Sequence, residues 1–323
     1  MTPEQLRELR DGLPPYALAR EPTSLQLAFC RYYGIDFTAT RPGLQYRLGT
    51  VQSGDFSLAV HCWLQEGASS NLLLVHGYFD HSGLYGKLVE HGLSRNCNVL
   101  IFDLPGHGLS SGDPAVIDDF ADYSRAIHAV LEAAQWPQLP LWVMAQSTGC
   151  AALVEYTRLF PWPFAAAVLL APLVRPTGWR SGRLAHWVLR HFVDSIERKF
   201  VHNTSDTDFL KFQKQDPLQS LRLPVRWVTA LRTWQLSLPT ADLGVGPALI
   251  VQGDVDQTVD WRFNLEIYQR LFPGSEVELL PAAGHQLANE SIRLRRTYFA
   301  RVDSWLVKQG LPVGNADTPA AMG

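Results

Sequence analysis

Short runs of consecutive apolar residues punctuate the chain at "NLLLV" (71–75), "NVLIF" (98–102), "LWVM" (141–144), "AAVLL" (166–170), "PALIV" (247–251) and "VELL" (277–280). Runs apolar on both faces are what a parallel sheet covered by helices requires. Helical spacing fills most of the intervals, at 84–94, 118–134, 150–159 and 261–271, so the alternation predicts an α/β chain. Upstream, alternation such as "FSLAVHCWL" predicts a β-hairpin within 44–64, half-buried and at a sheet edge. Residues 1–43 read as a helical appendage, with Leu6, Leu9, Leu13, Leu25, Leu27, Ala28 and Phe29 as its apolar positions. About 75 residues separate "AAVLL" from "PALIV", far more than one crossover helix needs. The expected architecture is therefore a core at 44–172 and 243–310, a helical cap inserted at 173–242, and a flexible Gly-, Pro- and Ala-rich tail at 311–323.

One junction carries candidate chemistry. In "LWVMAQSTGCAALVEY" (141–156) a strand feeds a helix with almost no loop, and Ser147 occupies the turn. A serine on so sharp a turn exposes its hydroxyl, and small residues two places before and after let strand and helix backbones approach. Ala145 and Gly149 meet that need, although glycine is the more usual residue at the first position. Alone, the stretch is a weak signal and reads more readily as a serine capping a helix.

The other strand ends change the balance, because in such a sheet ligands bind beyond the carboxyl ends of the strands. After "PALIV" comes "QGDVDQTVD", with Asp254, Asp256 and Asp260, and after "VELL" comes "PAAGHQL", with His285. Serine is a weak nucleophile near neutral pH, so an imidazole must take its proton and a carboxylate must orient that imidazole. Asp256 is the preferred carboxylate. Asp254 lies nearer the strand, where it can cap the turn, and Asp260 opens the next helix, where a carboxylate suits the dipole. Acyl transfer also needs donors for the developing oxyanion. The backbone N–H of Thr148 at the helix start is one candidate, and that of Tyr78, in the loop "HGYFDHSGLYGKL", is the other. His76 reads as a loop brace.

"HGYFDHSGLY", "FDLPGHGLSSG", "AQSTG", "GDVDQTVD" and "AGHQL" stand in the order and positions of the α/β-hydrolase superfamily. The first two most resemble the monoacylglycerol lipase and lysophospholipase group. The resemblance implies the α/β-hydrolase fold, with Ser147 as nucleophile, Asp256 as acid, His285 as base, and Tyr78 and Thr148 as oxyanion donors. It implies that Asp103, His107 and Ser110 belong to a chiefly structural loop, and that no metal or organic cofactor is needed.

Charge and composition narrow the partners. A net charge of −3 speaks against a dedicated nucleic-acid binder, and no stretch of about eighteen apolar residues is present to span a bilayer. Cys30, Cys62, Cys97 and Cys150 are scattered without metal-site or disulfide spacing, and the N-terminus lacks a secretory pattern, so a cytoplasmic protein is expected. Segment 173–242 carries eleven basic and six acidic side chains, a net +5. Within it Leu184, Trp187, Val188, Phe192, Ile196 and Phe200 form a helical stripe, with Arg183, Arg190, Glu197 and Arg198 elsewhere on the wheel. That stripe predicts a cap helix packed on the core, with Trp187 and Phe192 lining an acyl tunnel. A basic, Trp-bearing cap also suits peripheral contact with an anionic lipid surface. The expected activity is hydrolysis of a carboxylic ester of a single-chain lipid through an acyl-enzyme. An acyl thioesterase and a non-catalytic acyl-ligand binder are the alternatives.

Overall fold

The computed structural model describes residues 1–198 and 200–311. Before the sheet come α1 (Pro3–Asp11) and α2 (Ser24–Tyr33). Each opens on a capping box, Thr2 with Gln5 and Thr23 with Gln26. β1 (Gln45–Ser53) and β2 (Phe56–Leu64) form the hairpin, followed by β3 (Ser70–Val75), α3 (Gly86–Ser94), β4 (Cys97–Phe102), α4 (Ala121–Ala133), β5 (Leu141–Gln146), α5 (Thr148–Leu159) and β6 (Ala166–Leu170). The insert contributes α6 (Trp179–Leu189), β7 (Ser195–Glu197), α7 (Thr207–Gln215), β8 (Arg222–Pro224) and α8 (Val225–Leu236). The chain returns through β9 (Ala248–Gly253), α9 (Trp261–Leu271), β10 (Glu276–Leu280) and α10 (Ile292–Lys308).

Eight strands form one sheet in the order β1-β2-β4-β3-β5-β6-β9-β10. Both contacts of β2 are antiparallel, and every pairing from β4 to β10 is parallel. The hairpin therefore opens a parallel sheet, as its alternation predicts. Of the two hairpin strands only β1 sits at a sheet edge: β2 lies between β1 and β4, and Leu58 to Trp63 are buried rather than half-buried. On one face Trp63 packs with Phe29 and Leu48, and on the other Val60 and Cys62 pack with Phe102 and Phe120. Leu6, Leu9, Phe29 and Tyr33 of α1 and α2 are thus part of the main core.

Two expectations at element ends need correction. The helix expected through Phe200 stops at Leu189, and Ile196 lies in β7, which pairs antiparallel with β8. Leu311, assigned to the tail, is buried against α10, with its N–H donating to Leu306 O at 3.0 Å. The remainder of the expected tail, 312–323, lies outside the described residues.

Candidate active site

Val75 ends β3 beside Ala145 of β5, and Gln146 ends β5 beside Leu170 of β6, so the loops that follow emerge together at the carboxyl edge. Ser147 occupies the turn into α5 with φ 52° and ψ −110°, a conformation costly for any residue with a side chain. Its N–H donates to Leu170 O at 2.9 Å, and its carbonyl accepts from Cys150 N at 3.0 Å. A Cβ at Gly149 would stand 2.5 Å from Val75 O and 2.9 Å from His76 O. Only glycine lets α5 leave the strand this steeply.

His285 and Asp256 meet Ser147 from the ends of the next strands. His285 Nε2 lies 3.0 Å from Ser147 Oγ, and His285 Nδ1 lies 2.7 Å from Asp256 Oδ2. An ionised carboxylate can only accept, so Nδ1 carries the proton in the neutral ring and Nε2 accepts from the serine hydroxyl. Asp256 Oδ1 accepts from Thr258 N at 2.8 Å and Val259 N at 3.1 Å, and Gln252 Nε2 donates to Oδ2 at 3.1 Å. At Gly253 a Cβ would collide with the carbonyls of Ala283 and Gly284, so the acid loop and the imidazole loop run in backbone contact. All three side chains are buried. Burial opposes the charge on Asp256, but His285 and the hydrogen bonds outweigh it and hold the carboxyl below its ordinary value. For His285 burial opposes the cation, and Asp256 outweighs it, leaving the pKa raised.

The neighbouring aspartates do other things. Asp254 Oδ1 accepts from Ala282 N at 2.7 Å and braces the turn before His285. Asp260 caps α9 and pairs with Arg175 at 2.7 Å.

The loop after β3 lies against the serine, since a Cβ at Gly77 would be 3.4 Å from Ser147 Cβ. The N–H groups of Tyr78 and Thr148 have no protein acceptor among the described residues. His76 bridges two loops, its Nδ1 on Gly77 O at 2.8 Å and its Nε2 accepting from Leu104 N at 2.9 Å. Burial pushes its pKa down to about 3, which suits a neutral brace. Asp103 accepts from Leu109 N at 2.7 Å, Ser110 Oγ donates to Asp103 O at 2.6 Å, and His107 Nδ1 meets Pro105 O at 2.8 Å. All of these bonds stay within the scaffold.

Sequence reading missed a buried polar set beside the serine. Gln286 Nε2 donates to Asp80 Oδ1 at 2.9 Å, Tyr85 Oη donates to Asp80 Oδ2 at 3.1 Å, and Gly77 N donates to Tyr85 Oη at 2.9 Å. Gln146 Nε2 bonds Gln286 Oε1, and Gln146 Oε1 accepts from Ala288 N at 2.8 Å. The available signal was position, since Asp80 and Gln286 each follow a strand's carboxyl end.

A cavity of about 420 Å³ opens over Ser147, Thr148, Tyr78 and His285, within the range of small-ligand pockets. Its apolar wall comes from Leu173, Trp179, Ile196, Leu223, Val228 and Leu231. Trp187 and Phe192 are not in it: they are 56% and 79% exposed on the outside of the insert. The tunnel role expected of them fails because Trp187 on α6 and Phe192 in the turn after it both face outward. From the expected stripe only Ile196 and Phe200 reach the cavity, along with Arg198.

A mostly parallel eight-stranded sheet opened by a hairpin, with a serine on a strained strand-to-helix turn and a histidine and an aspartate at later strand ends, defines an α/β-hydrolase. The chain belongs to the family described as serine aminopeptidase, S33, whose sequence signature matches residues 67–292. Human monoglyceride lipase is 24% identical over 276 residues, covering 80% of this chain and 89% of the human protein. The monoacylglycerol lipase of Mycolicibacterium smegmatis is 24% identical over 251 residues, covering 73% and 87%. A soluble variant of Saccharomyces cerevisiae monoglyceride lipase, solved with a substrate analog, superposes with a TM-score of 0.69 at 18% identity, covering 82% of this chain and 95% of the yeast chain. The monoacylglycerol lipase of Paleococcus ferrophilus gives 0.63 at 20%, covering 74% and 94%. These solved structures share the fold.

Proposed function

We propose that the protein is a serine hydrolase that cleaves the carboxylic ester of a single-acyl-chain lipid through an acyl-enzyme. The observation that carries this reading is the continuous relay from Ser147 through His285 to Asp256 at the floor of a cavity with an apolar wall. Ser147 Oγ attacks the ester carbonyl while His285 Nε2 takes its proton, and Asp256 stabilises the resulting imidazolium. The Tyr78 and Thr148 amides receive the tetrahedral oxyanion. His285 then protonates the departing alcohol, and water deprotonated by His285 releases the fatty acid and restores the serine. The S33 family match and the monoglyceride lipases among the relatives support ester hydrolysis and a lipid substrate.

Two further parts of the reading concern place. The insert exposes Leu184, Trp187 and Phe192 at 66%, 56% and 79% beside a surplus of basic residues, which suits peripheral attachment to an anionic membrane surface. Cys30, Cys62, Cys97 and Cys150 are free and buried, which fits a reducing cytosol.

A fluorophosphonate probe should label the wild type on Ser147 and leave Ser147→Ala unlabelled. A panel of p-nitrophenyl esters, monoacylglycerols, lysophospholipids and acyl-CoAs should then show turnover of esters above thioesters. Labelling that survives Ser147→Ala, or thioester turnover exceeding that of every ester, overturns the assignment.

A further inference from the structure

The cavity contains a cation that the mechanism above does not use. Arg198 follows β7 and lines the same cavity as Ser147 and His285. Its guanidinium stacks on two rings, 4.1 Å from the centre of Phe79 and 4.5 Å from that of Phe200. Phe79 itself holds φ 67°, an uncommon conformation for an aromatic residue, in the loop that carries Tyr78. The group is therefore held in a fixed plane.

The hydrogen bonds of Arg198 are one-sided. Nη1 donates to Gln219 Oε1 at 2.7 Å and to Ser220 O at 3.3 Å, both uncharged acceptors. A guanidinium has five N–H donors, so that end is used. The Nε–H and the two N–H of Nη2 have no protein acceptor among the described residues, and in this cavity-lining residue neither nitrogen is among the fully buried unpartnered atoms. This edge is the fork that matches a carboxylate or phosphate bidentately. The nearby carboxylates favour the cation through their charge but make their hydrogen bonds elsewhere, Asp80 with Gln286 and Tyr85, Asp216 with His81 and Tyr33. Burial lowers the Arg198 pKa only to about 10, so the group is cationic at neutral pH. A desolvated cation with an open fork is costly unless something fills it.

Its surroundings indicate which part of the substrate arrives there. Gln286 ties Asp80 to Asn203, donating its side chain to Asp80 and its N–H to Asn203 O at 2.8 Å. Asn203, Gln213, Asp80 and Gln286 all line the cavity, and Asn203 Oδ1 is buried without a partner among the described residues. Arg198 thus belongs to a polar end facing the apolar wall. The acyl chain has no use for that end; the alcohol does.

We propose that the Nε/Nη2 edge of Arg198 holds a phosphate carried on the alcohol of the substrate, so that a phosphate-bearing single-chain lipid is preferred to an uncharged monoacylglycerol. This rests on the ester-hydrolase reading and adds the headgroup to it. Arg198 is here a specificity residue that touches the substrate away from the scissile bond.

The test compares the full-length wild type, Arg198→Gln and Arg198→Lys on monododecanoylglycerol and on dodecanoyl lysophosphatidic acid in the same neutral detergent micelles. The wild type should favour the phosphate ester, and Arg198→Gln should lose about 10- to 100-fold more kcat/KM on it than on the neutral ester. Arg198→Lys should recover only part of that difference, because an ammonium cannot bind bidentately. Equal losses on both esters, or a wild type that favours the neutral ester, would overturn the proposal while leaving the hydrolase reading intact. A wild type that turns over no ester overturns the hydrolase reading and this assignment with it. Should Arg198→Gln not fold, inhibition of the wild type on p-nitrophenyl butyrate decides the matter. Dodecyl phosphate should inhibit at least about tenfold more tightly than dodecylglycerol ether, by the same charge-assisted contacts. Equal inhibition by the two, or inorganic phosphate binding as tightly as dodecyl phosphate, overturns the lipid assignment.

Discussion

Tyr78 and Trp227 lie face to face, with ring centroids 3.7 Å apart and planes 16° from parallel. Tyr78 belongs to the loop proposed to supply an oxyanion donor, and Trp227 belongs to α8 of the insert. The indole is fixed in turn by its Nε1–H, which donates to Tyr123 Oη at 3.1 Å, and the Tyr78 hydroxyl donates to Ala115 O at 2.8 Å. The insert therefore buttresses that loop as well as lining the cavity. Trp227→Ala should cost about 3–5 kcal/mol of stability, as large buried aromatics do. It should also lower kcat even on acetyl and butyryl esters, which make little use of the apolar wall. Trp227→Phe, which keeps a ring under Tyr78, should retain most of kcat. Normal short-ester kcat in a folded Trp227→Ala protein would show that the stack does not position the loop.

Asp256 and Asp254 should separate cleanly. Asp256→Asn leaves the loop geometry largely in place but removes the acceptor that fixes the imidazole tautomer, and a loss of about 10⁴ in kcat is expected. Asp254→Asn weakens one bond to Ala282 N and should cost about 1 kcal/mol of stability with less than tenfold in kcat. Steady-state kinetics on one ester suffices. The opposite ranking would transfer the acid role to Asp254.

On the proposed mechanism, the acidic limb of the pH profile should report His285. Catalysis needs the neutral ring, and Asp256 favours the cation against the opposing effect of burial, so kcat/KM should fall with decreasing pH through a pKa above the ordinary 6.5. Removing the negative charge removes the largest contribution raising that pKa. The residual activity of Asp256→Asn should therefore persist to lower pH than that of the wild type. A limb that moves upward in the variant would contradict the assignment of His285 as the titrating base.

A buried triad joins three parts of the chain. Asp216, just past α7 in the insert, accepts from Tyr33 of α2 at 2.7 Å and meets His81 Nε2 at 2.8 Å. Burial works against its charge, but His81 and the hydrogen bonds hold its carboxyl below the ordinary value. Asp216→Ala leaves His81 buried without its partner and should cost about 3–5 kcal/mol at neutral pH, and Tyr33→Phe about 1–3 kcal/mol. Thermal or urea unfolding measures both. Losses under 0.5 kcal/mol for both variants, an order-of-magnitude floor for a buried bond, would mean that water replaces these contacts.

Much of this was legible in the sequence, for identifiable reasons. The strands of the parallel sheet announced themselves because "NLLLV" or "AAVLL" must be apolar on both faces. The candidate residues Ser147, Asp256 and His285 stand out in the sequence because each follows such a run. The insert was harder to read. Leu184, Trp187, Val188 and Phe192 have the spacing of a buried helix face, yet no sheet anchors that segment, and sequence periodicity cannot tell a stripe facing the core from one facing solvent. Arg198, between Glu197 and Lys199, looks like any surface charge, and its place in the cavity depends on the β7–β8 ribbon, whose three-residue strands leave almost no periodic trace. Asp80 and Gln286 bond across 206 residues, a pairing visible only once the strand order is known.

The outward-facing stripe makes the membrane reading testable. Trp187 and Phe192 are more than half exposed and lie outside the cavity, so replacing both by serine should leave hydrolysis of a soluble butyryl ester close to wild type. Burying each aromatic in a lipid surface is worth roughly 1.5–3 kcal/mol. The double variant should therefore lose at least about tenfold in partitioning onto phosphatidylglycerol–phosphatidylcholine vesicles, measured by sedimentation. The eleven basic and six acidic side chains of segment 173–242 add a second, separable term. Exposed charges are screened within about 10 Å at 0.1 M salt, so added salt should weaken binding to anionic vesicles more than to purely phosphatidylcholine vesicles. Unchanged partitioning of the double variant would show that the exposed aromatics do not insert. Equal salt effects on the two vesicle types would show that the surplus charge does not recruit the surface. Either result removes its half of the attachment, and both together would leave the insert as a roof over the cavity with no role in docking.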